Sequence, residues 1–289
     1  MPTVAENKRR WASHAWREGG DEWSTLAGGS ARWWHGILLP RLMPILAALP
    51  ERAHVLEIGP GHGRWTRFLL DHAREATLLD LDEGCLDACV ARFGQRVRPV
   101  LGDGWTFSGD AARVRGPVDF VFSYDSLVHA EIEALGSYLR EMARVLRPGG
   151  FAFLHHSNLG AFVGREGKPA VSPTHWRATS ADAAGVRSRA VAAGLGVPLQ
   201  ELCTKGGPND RAMIDCITLL RKPEVGDPTS TPGGATMVLE NLDFWQEIQA
   251  LGRAGRAYDA AVDPLHRPAH LPPLLEGERA TLRARALRG

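Results

Sequence analysis

The sequence predicts an α/β fold: a mostly parallel, seven-stranded sheet with helices on both faces, led by an N-terminal helical cap. Three observations predict it. Short apolar runs alternate with helical stretches from Val55 onward, which is the pattern of strands buried on both faces. The first run, Val55-Leu56-Glu57-Ile58, enters the glycine-rich turn Gly59-Pro60-Gly61-His62-Gly63. The next run ends on Asp80, about twenty residues further on. A chain of 289 residues can bury such a core and still carry added segments.

Taken in order, residues 1–50 form the cap. Trp11, Trp16, Trp23, Trp33 and Trp34 cluster there, and helical periodicity is clearest from Ser30 to Leu49. These tryptophans either pack the cap on the sheet or line a lid that closes over a ligand. The sheet then begins with Val55–Ile58 as strand one, a helix over Trp65–Ala73, and Thr77–Leu81 as strand two. A helix over Cys85–Phe93 leads to Val97–Leu101 as strand three and Val118–Ser123 as strand four. Glu131–Leu146 is a long amphipathic helix, stopped by Arg147-Pro148-Gly149-Gly150, and Phe151–His155 is strand five.

An aperiodic insertion, 160–182, follows strand five, where open α/β sheets bind ligands. After a helix over Ala183–Ala193, Leu199–Thr204 and Met213–Leu220 close the sheet as a hairpin. That ends the main domain, 51–222. Residues 223–235 are Pro/Gly/Thr-rich and read as a linker, Met237–Val262 as a helix, and the remainder of 236–289 as a docked helix and basic tail.

The turn after strand one carries the chemistry. Glycines there let the backbone bend sharply and let a ligand approach without a Cβ in the way. A dinucleotide fingerprint wants its third glycine one place later, where this chain has Arg64. The observed order, G-x-G-x-G, resembles motif I of class I S-adenosylmethionine (SAM) methyltransferases, whose fold is Rossmann-like. Three more stretches share the resemblance: Leu101-Gly102-Asp103-Gly104, Val118-Asp119-Phe120-Val121-Phe122, and Arg144-Val145-Leu146-Arg147-Pro148-Gly149-Gly150. It covers roughly Val55 to Leu220. It implies that Glu57, Gly59, Gly61 and Gly63 wrap the methionine portion of SAM and that Asp80 takes the ribose hydroxyls. Asp103 and Gly104 would take the adenine, with Trp105 stacked on it or packed in the core, and Ser123 would complete the cofactor set.

At the acceptor end, strand four runs into Tyr124-Asp125-Ser126-Leu127-Val128-His129 and strand five into His155-His156-Ser157-Asn158. Together these resemble small-molecule and sugar O-methyltransferases of bacterial natural-product or glycan pathways. A hydroxyl acceptor is a weak nucleophile, and a positioned base adds roughly 10²–10⁴-fold. His129 is the first choice for that base, with Asp125 orienting it or binding substrate and His155 as the other catalytic candidate. The resemblance also brings a candidate Mg2+ site at Asp125 with His155 or His156, although Asp125 is the one sure oxygen donor. Arg177 in the insertion either binds an anionic group on the substrate or lies in a solvated loop, and Asp215 is either a paired buried carboxylate or a second pocket residue.

Bulk properties narrow the partners. A net charge of +1 gives no electrostatic case for nucleic acid or membrane binding. No apolar run is long enough to span a bilayer, and the polar start, Met1 to Arg10, lacks a signal-peptide core. Cys85, Cys89, Cys203 and Cys216 form no C-x-x-C pair, which fits free thiols in a cytoplasmic protein. The expected partner is a small-molecule acceptor, and a homodimer is an assembly the chain permits. Two other readings stand beside the O-methyltransferase: transfer to an amine or carboxylate of a natural product, and a non-catalytic SAM-fold interaction subunit.

Overall fold

The computed structural model describes residues 3–107, 114–164, 166–172, 174–204, 211–226 and 231–262. Helix α1, Val4–Ala12, opens the chain on a capping box. Glu6 N donates to Thr3 Oγ1, and Thr3 N donates to Glu6 Oε2 at 2.8 Å, so two of the orphan amides of the first turn are satisfied. A 3-10 stretch, Glu18–Ala27, bends at Gly19 and Gly20. It leads to α2, Ser30–Trp33, a π turn at Trp34–Leu38, and α3, Leu39–Leu46. Trp33, Trp34, Ile37, Leu38 and Leu42 are buried on this run and pack with Phe120, Phe122 and Phe153 of the sheet.

The sheet comprises β1 (His54–Ile58), β2 (Glu75–Asp80), β3 (Val97–Leu101), β4 (Val118–Ser123), β5 (Leu146–Ser157), β6 (Gly196–Cys203), β7 (Asp215–Arg221) and β8 (Met237–Asn241). Their order is β3-β2-β1-β4-β5-β7-β6-β8. The first five strands are parallel, β7 runs antiparallel to both β5 and β6, and β8 is parallel to β6. Crossover helices are α4 (Thr66–Leu69), α5 (Glu83–Phe93), α6 (Ile132–Val145) and α7 (Ala183–Ala192), and α8 (Phe244–Val262) closes the described chain. Asp82 and Asp182 cap α5 and α7 through their carboxylates. The strand order reverses between β1 and β4, so a crevice opens beyond their C-terminal ends.

The described sheet has eight strands where seven were expected. Met237–Asn241, expected as the start of a helix, is instead the edge strand β8, because its backbone pairs residue for residue with Leu199–Cys203. The helix begins at Phe244, whose ring is buried with Ile248 in the same cluster as Trp33, Trp34 and Ile37. The helix expected over Trp65–Ala73 is the single turn α4, and β5 starts five residues early, because Leu146 is already extended and pairs with Val118. Part of the expected linker and the expected tail, from 263 on, fall outside the described residues. No helix among the described residues is long and apolar enough to cross a membrane.

Candidate functional site

A cavity of about 730 Å³ lies at the strand reversal. One end is floored by the turn after β1. There the glycines bring the backbone against its neighbours: a Cβ on Gly59, at φ 69°, would overlap Ser126 Oγ. The Gly61 amide donates to Asp80 Oδ2 at 3.1 Å, and Asp82 N donates to Oδ1 at 3.1 Å. Burial pushes the Asp80 carboxyl up to about 6 against these hydrogen bonds. Asp80, Leu81, Gly104, Trp105 and Tyr138 continue this wall. Glu57 lies under the turn, buried, and its Oε2 accepts from Thr66 Oγ1 at 2.5 Å. Burial, reinforced by the charge of Asp80, pushes its carboxyl up to about 8 despite the Thr66 bond. Glu57 therefore supports the turn from beneath rather than lining the cavity.

Two further expected cofactor residues sit elsewhere. Asp103 folds back on its own loop, where its Oδ1 accepts from Trp105 N at 2.7 Å and Thr106 N at 2.6 Å. These bonds hold its carboxyl below the ordinary range even though partial burial opposes them. Ser123 is buried and donates to Ile58 O at 2.9 Å, joining the ends of β4 and β1. Trp105 is half exposed at the cavity edge, so it is free of the core packing that was its other reading.

The other end of the cavity is assembled from distant segments. His129 ends the 3-10 turn Leu127–His129 after β4. Its Nδ1 lies 2.8 Å from the Trp176 carbonyl, which can only accept, so Nδ1 bears the hydrogen and Nε2 keeps its lone pair. Burial, with Arg177 nearby, pushes the imidazole down to about 4, so the ring is neutral at ordinary pH. Asp125 has a left-handed backbone, φ 62°, and its Oδ2 lies 3.1 Å from Arg64 Nη1. The Arg64 guanidinium stacks 4.1 Å from the Trp65 ring, and its Nε donates to Ser24 Oγ at 2.8 Å. His155 is buried under Tyr124, their rings 4.5 Å apart. Arg177 is buried and bound bidentately to Asp215, at 2.8 and 2.9 Å. Asp215 is thus a paired buried carboxylate, and Arg177, its counter-charge, is buried at the cavity wall and not in a solvated loop.

His156 points away from this group. Its Nδ1 contacts Ser157 O at 2.8 Å and its Nε2 contacts Thr218 Oγ1 at 2.7 Å, while burial pushes it down to about 4. The candidate Mg2+ site finds no support: His156 turns away from Asp125, and among the described residues no group of three His, Cys, Asp or Glu side chains is placed to hold a metal ion.

The roof comes from the N-terminal segment. Asn7 is buried; its Nδ2 donates to His129 O at 2.9 Å, and its Oδ1 accepts from Trp176 Nε1 at 3.4 Å. Arg10 stacks over Trp176 at 4.5 Å, and Trp11 lies 5.3 Å from the His129 ring. Trp16 stacks on His62, and a Cβ on Gly61 would lie 2.7 Å from its ring. Val4 sits where a Cβ on Gly104 would be. Asn7 and Arg64 line the cavity without having been expected there, whereas Trp11 is one of the tryptophans expected either as packing or as a lid. A polar helix gave no signal for Asn7, and Arg64 was noticed only as a missing glycine.

Residues 55–150 match the methyltransferase domain family. The chain is 34% identical over 126 residues to the biotin biosynthesis bifunctional protein BioHC of Cellvibrio japonicus (strain Ueda107), an alignment that spans 43% of this chain and 23% of that protein. The chain thus spans about a quarter of the length of this curated relative. Among solved structures, the N-methyltransferase NodS of Bradyrhizobium japonicum WM9, in complex with S-adenosylhomocysteine, superimposes with a TM-score of 0.50 at 17% identity, covering 76% of this chain and 99% of NodS. A SAM-dependent methyltransferase of Clostridium acetobutylicum ATCC 824 gives 0.50 at 13% identity, covering 68% and 92%. The chain shares the fold of these two methyltransferases, and its residues 55–150 are the part that matches the methyltransferase domain model.

Proposed function

We propose that the chain is a SAM-dependent methyltransferase that methylates a hydroxyl of a small polar acceptor, a sugar or glycosylated metabolite, with His129 as general base. The observation that carries this reading is the single free lone pair of His129, on Nε2, held at the cavity wall by the Trp176 carbonyl on the opposite nitrogen.

The turn Gly59–Gly63 leaves room for the donor's amino-acid portion, Asp80 offers carboxylate oxygens to its ribose, and Gly104 and Trp105 offer a bare backbone and a ring face to its adenine. Bound SAM supplies a methyl group on a sulfonium, so attack by the acceptor oxygen forms the C–O bond as the S–C bond breaks and its electron pair stays on sulfur. The protein's work is to aim the oxygen in line and to receive its proton. Asp125, exposed to the cavity beside Arg64, accepts a hydrogen bond from the acceptor and fixes its orientation. His129 Nε2 receives the proton. The tryptophans of the roof present ring faces to the acceptor and exclude water.

The test has two stages. Calorimetry should show SAM and S-adenosylhomocysteine binding; if neither binds, the enzyme reading falls. Labelled SAM is then offered with a panel of nucleotide sugars and methyl glycosides, and with matched amino sugars. Transfer to hydroxyls is expected, and label found only on nitrogen overturns the acceptor assignment. On the acceptor that turns over fastest, His129→Ala should lower kcat by about 10²–10⁴-fold with SAM affinity kept. Full turnover by that variant would remove the base.

A further inference from the structure

Under the acceptor end of the cavity, five charged or chargeable side chains form an unbroken row: Arg64, Asp125, His155, Asp215 and Arg177. Successive contacts are 3.1, 3.4, 3.2 and 2.8 Å. The row draws on five separate segments: the turn after β1, the loop after β4, β5, β7 and the 160–182 insertion. The signs alternate along it, and its two ends are guanidiniums. The members are not equally placed. His155 and Asp215 side chains are 1% and 2% exposed, Arg177 and Arg64 6% and 7%, whereas Asp125 is 21% exposed. Arg64, Asp125 and Arg177 all line the cavity, and Asp125 is the member most open to it.

We propose that His155 is a positioning residue, locked by the Arg177–Asp215 pair and serving to hold the Asp125 carboxylate in the acceptor-binding orientation. This inference rests on the methyltransferase reading above and names which buried groups set the geometry of that site.

Asp125 needs holding. Its backbone sits in the left-handed region, which Asp tolerates better than most residues but does not prefer. His155 meets it at two points through one nitrogen, and only one of the two can be a hydrogen bond at a time. The Asp125 amide donates to His155 Nδ1 at 3.2 Å, and Asp125 Oδ1 lies 3.4 Å from the same nitrogen. These contacts make opposite demands. A lone pair on Nδ1 accepts the amide hydrogen, and a hydrogen on Nδ1 is offered to the carboxylate. With the ring neutral and its hydrogen on Nε2, which lies 3.2 Å from Asp215 Oδ2 without hydrogen-bond geometry, the amide contact holds. With the ring charged, Nδ1–H turns to the carboxylate. The protonation of His155 therefore decides whether Asp125 is held by its backbone or by its side chain.

The surroundings favour the charged ring. Burial opposes it, but Asp215 and Asp125 outweigh burial and raise His155 above its ordinary value. Tyr124 and His156 are the chain neighbours of this pair, and Glu201 faces it from β6. Asp215, held far below the carboxylate range by Arg177 and His155 in spite of its burial, stays ionised throughout. A buried pair this tightly matched fixes geometry even where its net stabilisation is small.

The test uses His155→Phe, which keeps the stacking on Tyr124 and leaves the Arg177–Asp215 pair whole, alongside His155→Gln, which restores a polar contact. On the fastest acceptor of the panel, His155→Phe should lower kcat at least tenfold, shift the pH profile, and leave the S-adenosylhomocysteine Kd within about threefold, with His155→Gln recovering part of the loss. A folded His155→Phe with wild-type kcat and pH profile would overturn the proposal. A crystal structure of the same variant with S-adenosylhomocysteine provides a second readout that needs no acceptor. Asp125 should have swung off its present position; finding it unmoved would equally overturn the proposal. Loss of S-adenosylhomocysteine binding by the wild-type protein would instead sink the methyltransferase reading itself.

Discussion

At the cofactor end of the cavity, the glycine turn and Asp80 lie about twenty residues apart on one β-turn-α-β unit, and Gly104 and Trp105 follow the next strand, β3. At the acceptor end, Asn7, Arg64, Asp125, His129, Trp176 and Arg177 come from distant segments, and Asn7 and Trp176, which touch, are 169 positions apart. The first end is built from bare backbone, with few side chains committed before a ligand arrives. The second is built from side chains already committed to one another: Asn7 to His129 and Trp176, Arg177 to Asp215, Arg64 to Asp125. A site of the first kind suits one invariant ligand. A site of the second kind can be changed for a new acceptor by moving one segment while the donor end stays as it is.

The contrast breaks most visibly at Gly59. With φ at 69° and Ser126 where a Cβ would go, Gly59→Ala should cost S-adenosylhomocysteine affinity about a hundredfold, ~2.7 kcal/mol, by calorimetry. Gly94→Ala is the control. Its φ is 59°, but no atom lies within 4 Å of the added carbon, so affinity should stay within about threefold. Equal losses would mean that backbone strain, not the closeness of the turn to its neighbours, governs this end.

Asn7→Ala addresses the other end. It removes both hydrogen bonds that tie α1 to His129 and Trp176, and it should lower kcat/KM for the acceptor about tenfold, ~1.4 kcal/mol. Cofactor affinity should fall less, because Val4 and Trp16 still cover Gly104 and Gly61. An equal drop in both would show that the N-terminal segment acts as one lid across the whole cavity, and the division into two ends would have to be redrawn.

How much of this was legible beforehand follows from the same division. The glycine turn, Asp80 and the first five strands could be read because each is a local pattern: an apolar run, a turn, a carboxylate at a set distance. The acceptor end could be read only in part. His129, Asp125 and His155 stood at strand ends and were picked out, but nothing local says that His156 turns toward Thr218 while its neighbour turns toward Asp125. Asp215 in an apolar strand left two readings open, a paired buried carboxylate or a second pocket residue, because a lone buried carboxylate is costly but its partner lies 38 residues away. β8 was missed because Met237, Val238 and Leu239 run directly into the apolar spacing of the following helix, and as an edge strand it leaves all three exposed, so no buried face marks it.

Glu57→Gln tests whether the support beneath the cofactor turn is a neutral acid. Burial is the main cause of its high value, about 8, and it acts on a group whose ordinary value is 4.5. In the folded chain Glu57 therefore holds a proton through a window in which the unfolded chain has already released its own. The folded state binds more protons there, so stability falls as pH rises from about 4.5 through about 8. Asp80, raised to about 6 by burial, adds a slope of the same sign at the acid side of that window, and both proteins share it. Glutamine keeps the shape and has no proton to lose. The Tm of Glu57→Gln should therefore match wild type near pH 4.5 and exceed it by a margin that widens toward pH 8, while S-adenosylhomocysteine affinity at pH 7 changes by less than about threefold, under ~0.7 kcal/mol. A margin that stays constant with pH would mean that Glu57 is ionised in the fold, and its buried carboxylate would then have to be balanced by a charge in the cavity above it.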